Sequence, residues 1–312
     1  MHNFAGKDGA NPTYLIRDAG GNLYGITIFG GDLNCPEGKG CGTVFRLDPA
    51  GRETVIHSFT QSVTDGGVPT GLIMDAKGNL YGTTELGGAQ NVGTVFKIDK
   101  SGKETVLYSF TGANGGPDGA SPLGGVILDA SGNLYGSTAY GGLGNTGTVF
   151  KIDAAGKETV LYRFTGGNNG STDGKNPMGG LVMDAAGNLY GTTSIGGTNG
   201  AGTIFKVDPH ENETALHSFA GSADGSYPQS PLSRDAVGNL YGNADGGTNG
   251  VGAVFKYDTA GNESLLHSFS GPDGEYPGGA LFLNSTSTGV VIYGTTQQGG
   301  ASGWGTVFEI VP

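Results

Sequence analysis

The stretch Asp75–Gly88, DAKGNLYGTTELGG, begins with an Asp-x-x-Gly turn, runs through a Tyr-centred set of β-formers and closes on two glycines. Variants of it recur around Tyr24, Tyr135, Tyr190, Tyr241 and, in a degenerate last copy (VIYG), Tyr293. Successive Tyr anchors are 57, 54, 55, 51 and 52 residues apart. Two further anchors keep the same order. GTVF-type segments end at Phe45, Phe96, Phe150, Phe205, Phe255 and Phe308, and HSF-type segments at Phe4, Phe59, Phe110, Phe164, Phe219 and Phe269. Three anchors, each present six times, define six repeats.

Within the unit from Pro122 to Phe164, four segments read as strands: GGVILDA, NLYGST, GTVFKID and ETVLYRF. All are short and rich in β-branched and aromatic residues. The first and last pairs are joined by Asp-x-x-Gly turns, in which Asp bonds to the turn backbone and Gly takes the left-handed position. No segment has helical periodicity. Six four-stranded antiparallel meanders predict an all-β fold, a six-bladed β-propeller occupying residues 1–312 as one domain. A β-solenoid would have a much shorter rung. The chain starts on the end of a fourth strand (MHNF) and stops on a third strand (GTVFEIVP), so pairing of the N-terminal strand with the C-terminal blade is expected to close the ring.

Sixty-four glycines among 312 residues, without a three-residue period, fit many tight turns and exclude collagen. The 36% of hydrophobic residues is enough for a core. A net charge of −12 with no Lys/Arg stripe argues against a nucleic-acid partner, and no apolar run is long enough for membrane insertion. Cys35 and Cys41, the only cysteines, flank one inserted loop without a neighbouring His, which favours a disulfide over zinc and an oxidising compartment. The repeat begins directly after Met1, so an exported protein would stand here without its signal peptide.

The pattern DAxGNLYGTTxxGG…GTVFKID…GKETVLYSFTG…DGxxP resembles the GloVer tandem repeat over essentially the whole chain. The shorter DxxGNLY is also similar to NHL-type and gluconolactonase-like propellers. The first resemblance implies an exported bacterial propeller, secreted or held at the cell surface, and brings no catalytic residues with it.

Alternating strand directions place both Asp-x-x-Gly turns of each repeat on one face, where Asp75, Asp129 and Asp184 read as turn-formers. The other face carries the loops that differ. Phe29, Leu86, Tyr140, Ile195, Asp245 and Gln298 precede the paired glycines, Trp304 lies in the sixth loop, and Tyr227 and Tyr276 lie between blades. Aromatic faces beside polar groups suit a glycan or cell-surface polymer, with Tyr140, Tyr227, Tyr276, Trp304, Gln298 and Asp245 as candidate ligand contacts. One acidic position on this face never changes: Asp8, Asp65, Asp118, Asp173, Asp224 and Asp273, all in Asp-Gly and expected near the mouth of a central channel. The set reads first as turn structure and second as a calcium or ligand site; no cofactor is required. His2, His57, His217 and His267 share a position with Tyr108 and Tyr162, which marks packing and hydrogen bonding. Arg17 and Arg234 stand where other copies have Met or Leu and, if half-buried, would require a partner.

The leading expectation is a monomeric binding propeller. An alternative is a glycoside hydrolase or polysaccharide lyase using Glu85 and Asp245, the only acids directly after the YGTT-type segment, although blades two and five of a six-membered ring would hold them apart. A structural repeat domain of an anchored surface protein is the third.

Overall fold

A computed structural model describes residues 2–35, 38–112, 116–167, 172–221, 224–286 and 289–312. Pro36 and Glu37 of the Cys-flanked loop, and Met1, lie outside these residues. The first repeat folds as β1 (Ala10–Arg17), β2 (Leu23–Phe29), β3 (Thr43–Leu47) and β4 (Glu53–Ser58), paired antiparallel in sequence order. The second repeats this with β5 (Gly66–Met74), β6 (Leu80–Gly87), β7 (Thr94–Ile98) and β8 (Glu104–Ser109). The next three four-stranded sheets end in the strands Glu158–Arg163, Glu213–Ser218 and Glu263–Ser268, and no helix occurs among the described residues. The fold is an all-β, six-bladed propeller.

The chain divides into two compact units, Met1–Val160 and Leu161–Pro312. In the first, the blades interlock through aromatic rings. Phe59 meets Phe96 and Phe110 meets Phe150 edge to face, with centroids 5.1 and 5.0 Å apart. The second unit repeats the contact in Phe164–Phe205, Phe219–Phe255 and Phe269–Phe308. Gly82 shows why the Tyr anchor is followed by Gly. A Cβ there would stand 2.5 Å from the Phe96 ring, so only Gly leaves the ring its place.

A second recurring device is a buried hydroxyl pair between the two middle strands: Thr27–Thr43, Thr84–Thr94, Thr138–Thr148 and Thr193–Thr203, at 2.8–2.9 Å. In the fifth blade both members are alanine, Ala244 and Ala253, each buried. Losing both hydroxyls together leaves no orphaned polar atom, whereas losing one would.

The sixth sheet has three strands, Glu275–Thr286, Gly289–Gln298 and Val307–Ile310. Among the described residues the fourth strand expected near the N-terminus is not formed: residues 2–9 contain no strand. His2 and Asn3 match only the last two positions of β4, too few for a ladder. Phe4 instead packs on Phe45, and His2 bonds to Asp8. Cys35 and Cys41 form the expected disulfide. No described helix is long and apolar enough to cross a membrane.

Candidate functional site

The Asp-x-x-Gly turns are fully committed to structure. Asp75 Oδ1 accepts the backbone N–H of Lys77 and Asn79, while Oδ2 accepts bonds from the Asn79 amide and the Tyr81 hydroxyl. The same set surrounds Asp129, Asp184 and Asp235. Burial acts to raise the Asp75 carboxyl, but the Asn79 bonds outweigh it and hold the group below its usual range. Arg17 and Arg234 on these strands are exposed and have no ion-pair partner among the described residues, so the partner that a half-buried Arg would require is not called for.

The six Asp-Gly carboxylates fold back into the linkers between blades. Asp65 accepts the N–H and the hydroxyl of Thr60 and the N–H of Gly66, and His57 Nε2 lies 3.2 Å from its Oδ1. Asp118 does the same with Thr111 and takes the Tyr108 hydroxyl at 2.9 Å. Asp8, Asp224 and Asp273 pair with His2, His217 and His267. Asp65, Asp118 and Asp173 are buried, and their hydrogen bonds close the turn of each linker. Burial would raise Asp65, but the bonds from His57 and Thr60 keep it low.

The variable positions behave differently. In each blade the residue before the paired glycines lies opposite the residue after Asp-Gly: Phe29 opposite Ala10, Leu86 opposite Gly67, Tyr140 opposite Ala120, Ile195 opposite Lys175, Asp245 opposite Ser226 and Gln298 opposite Glu275. The next residue along the linker, always followed by Pro, has a left-handed backbone in every copy: Asn11, Val68, Ser121, Asn176, Tyr227 and Tyr276, with φ of 49–58°. For non-glycine residues this conformation is strained, more so for Val and Tyr than for Asn. Tertiary contacts hold it. The N–H of Tyr276 donates to Val251 O at 2.7 Å, that of Tyr227 to Ala201 O at 2.8 Å, and that of Val68 to Cys41 O at 2.8 Å.

The first unit therefore carries Tyr140, 41% exposed, and Glu85 on β6. The second unit gathers the other candidates. Tyr227 is 48% exposed, and in the same blade Gln229 Nε2 donates to Asp245 Oδ2 at 3.3 Å. Tyr276 is exposed beside the paired Glu275 and Gln298, which border an open notch with Ser270, Pro272 and Gly300. Trp304, 89% exposed, bridges back to Gly299 in that loop. Burial raises the carboxyls of Asp245 and Glu85, with Gln229 partly opposing it at Asp245. Gln229, Glu275 and the strained backbone position were not singled out from sequence. The Asn at two of the six pre-proline positions was the available signal, since Asn tolerates the left-handed region.

The family profile of the Gloeobacter/Verrucomicrobia repeat matches residues 1–172 and 116–308. The chain belongs to that family. No curated protein matches its sequence. Among solved structures, this member of the repeat family is similar to virginiamycin B lyase from Staphylococcus aureus, at 14% identity and a TM-score of 0.62 over 97% of this chain and 85% of the lyase. It is also similar to a gluconolactonase from Xanthomonas campestris, at 15% identity and a TM-score of 0.54 over 98% and 88% of the two chains. The extracellular domain of a putative hybrid two-component system from B. thetaiotaomicron aligns at 15% identity and a TM-score of 0.56, over 96% of this chain and 33% of that one. At such identities the likeness is one of fold.

Proposed function

We propose that this chain is a secreted, monomeric binding module that contacts a glycan or cell-surface polymer through its variable loops. The observation that carries this reading is the placement of Tyr227 and Tyr276. Each ring is exposed at a backbone position held in a strained conformation by a neighbouring blade. The left-handed backbone is common to all six linkers and belongs to the fold; what these two copies add is an exposed aromatic ring on that fixed position. Asp245, Gln229, Glu275 and Gln298 supply polar groups beside the rings, the combination that stacks on sugar faces and orients hydroxyls. The Cys35–Cys41 disulfide supports export.

A carbohydrate-active hydrolase or lyase is the second reading, favoured by the raised carboxyls of Asp245 and Glu85, which suit proton transfer. One experiment separates the readings: a glycan array with and without calcium, run beside assays for reducing ends and unsaturated products on every polymer bound. Binding without turnover supports the module, turnover supports the enzyme, and neither leaves a structural repeat.

A further inference from the structure

Where an HSF-type segment, the Asp-Gly linker after it and the next ETV-type strand converge, three side chains come together from separate elements. At one such place they are His57 near the end of β4, Asp65 in the linker and Glu104 at the start of β8. His2, Asp8 and Glu53 repeat the arrangement, as do His217, Asp224 and Glu263. In each cluster one ligand-capable atom per residue lies within 4.8 Å of the others. We propose that these three clusters are sites for a divalent transition-metal ion, with zinc the best fit, each supplying one imidazole and two carboxylates.

The geometry is close to what an ion needs. The imidazole Nε2 to Asp oxygen separations are 2.9, 3.2 and 3.1 Å. Two ligands on a tetrahedral zinc, with bonds of roughly 2.0–2.2 Å, stand about 3.3–3.6 Å apart, so each His–Asp hydrogen bond would open by a few tenths of an ångström to admit the ion. The Asp carboxylates are already fixed by backbone donors, from Ala5, Thr60 and Ala220. The third ligand is itself unsatisfied. Oε1 of Glu53, of Glu104 and of Glu263 is shut off from solvent and accepts no hydrogen bond. A sheltered carboxylate oxygen without a donor is costly, and a cation between it and the His–Asp pair would satisfy it. Imidazole in the donor set favours zinc and its neighbours over calcium or magnesium, which take oxygen ligands. Such an ion would tie the strands of adjacent blades together.

The repeats contain their own comparison. Tyr108 and Tyr162 replace His in two copies, and each hydroxyl bonds to the linker Asp. Glu213 beside Tyr162 and Asp173 also has a sheltered oxygen, but no imidazole joins it, so that junction lacks a nitrogen ligand. His267 and Asp273 are exposed, and no ETV-type strand follows them in the sixth sheet to bring a Glu. Three of the six junctions are therefore complete.

The test uses the whole chain, stripped with a chelator, dialysed and titrated with zinc at neutral pH by calorimetry. Near three equivalents are expected at micromolar zinc, with a rise in melting temperature. His57→Tyr and His217→Tyr should each lose one equivalent and stay folded, since Tyr occupies this position naturally in two blades. Glu104→Gln should lose the same equivalent as His57→Tyr, and His210→Ala, at an exposed turn imidazole, should change nothing. No uptake at micromolar zinc, or uptake that the Tyr variants leave unchanged while circular dichroism stays native, overturns the proposal.

Discussion

The ring of Phe59, just beyond β4, meets the ring of Phe96 on β7 edge to face, with centroids 5.1 Å apart and planes at 63°. Both rings are fully buried, and Gly82 leaves the space that Phe96 fills. The same contact recurs inside both units. Phe96→Ala should cost about 3–5 kcal/mol, the usual result of emptying a buried aromatic site. Urea unfolding would check it; a loss under about 1 kcal/mol would mean the ring contact is incidental.

The Thr84–Thr94 pair offers a sharper test, because the fifth blade has already replaced both partners with alanine. Thr84→Ala alone strands the Thr94 hydroxyl in a buried place and should cost about 1–3 kcal/mol. Adding Thr94→Ala should recover part of that loss. A double-mutant cycle read by thermal melting gives the coupling directly, and strictly additive losses would contradict the paired reading.

Stability should fall as pH rises through neutrality. Glu104, Glu213 and Glu263 are each pushed up to about 7, chiefly by burial and then by Asp65, Asp173 and Asp224, with His57 opposing the shift at Glu104. A carboxyl whose folded value lies above its unfolded 4.5 stabilises while protonated. That contribution is whole below about pH 4.5 and is lost as pH rises through about 7. Asp8 and Asp65, held low, act the other way and matter only in acid. Melting temperatures in chelator should decline between about pH 5 and 8, and Glu213→Gln should flatten the decline. A flat profile in the parent chain would refute this.

Tyr276→Asn separates stability from binding. At φ 54° the Tyr backbone is strained, while Asn11 and Asn176 hold the equivalent position at 56°. The substitution should stabilise by about 1 kcal/mol. Affinity for a ligand found by the array should drop about thirtyfold if the ring is a buried contact. Equal binding by variant and parent would remove Tyr276 from the site.

Sequence by itself determined the repeat count, the strands, the turns and the faces on which loops fall. All of these are local: Asp-x-x-Gly closes its turn through Asp75 and Asn79 whatever surrounds it, and the contiguous apolar pair Val95–Phe96 marks a strand buried on both faces. The Cys35–Cys41 pairing was equally legible, because no other thiol exists. Tertiary structure alone decided what the invariant Asp-Gly carboxylates face. Asp65 and Glu104 are 39 positions apart, and only the stacking of one blade's linker on the next blade's outer strand brings them to His57. It also decided the left-handed backbone at Tyr227 and Tyr276, since no local preference of Tyr favours that conformation and a hydrogen bond from the preceding blade imposes it.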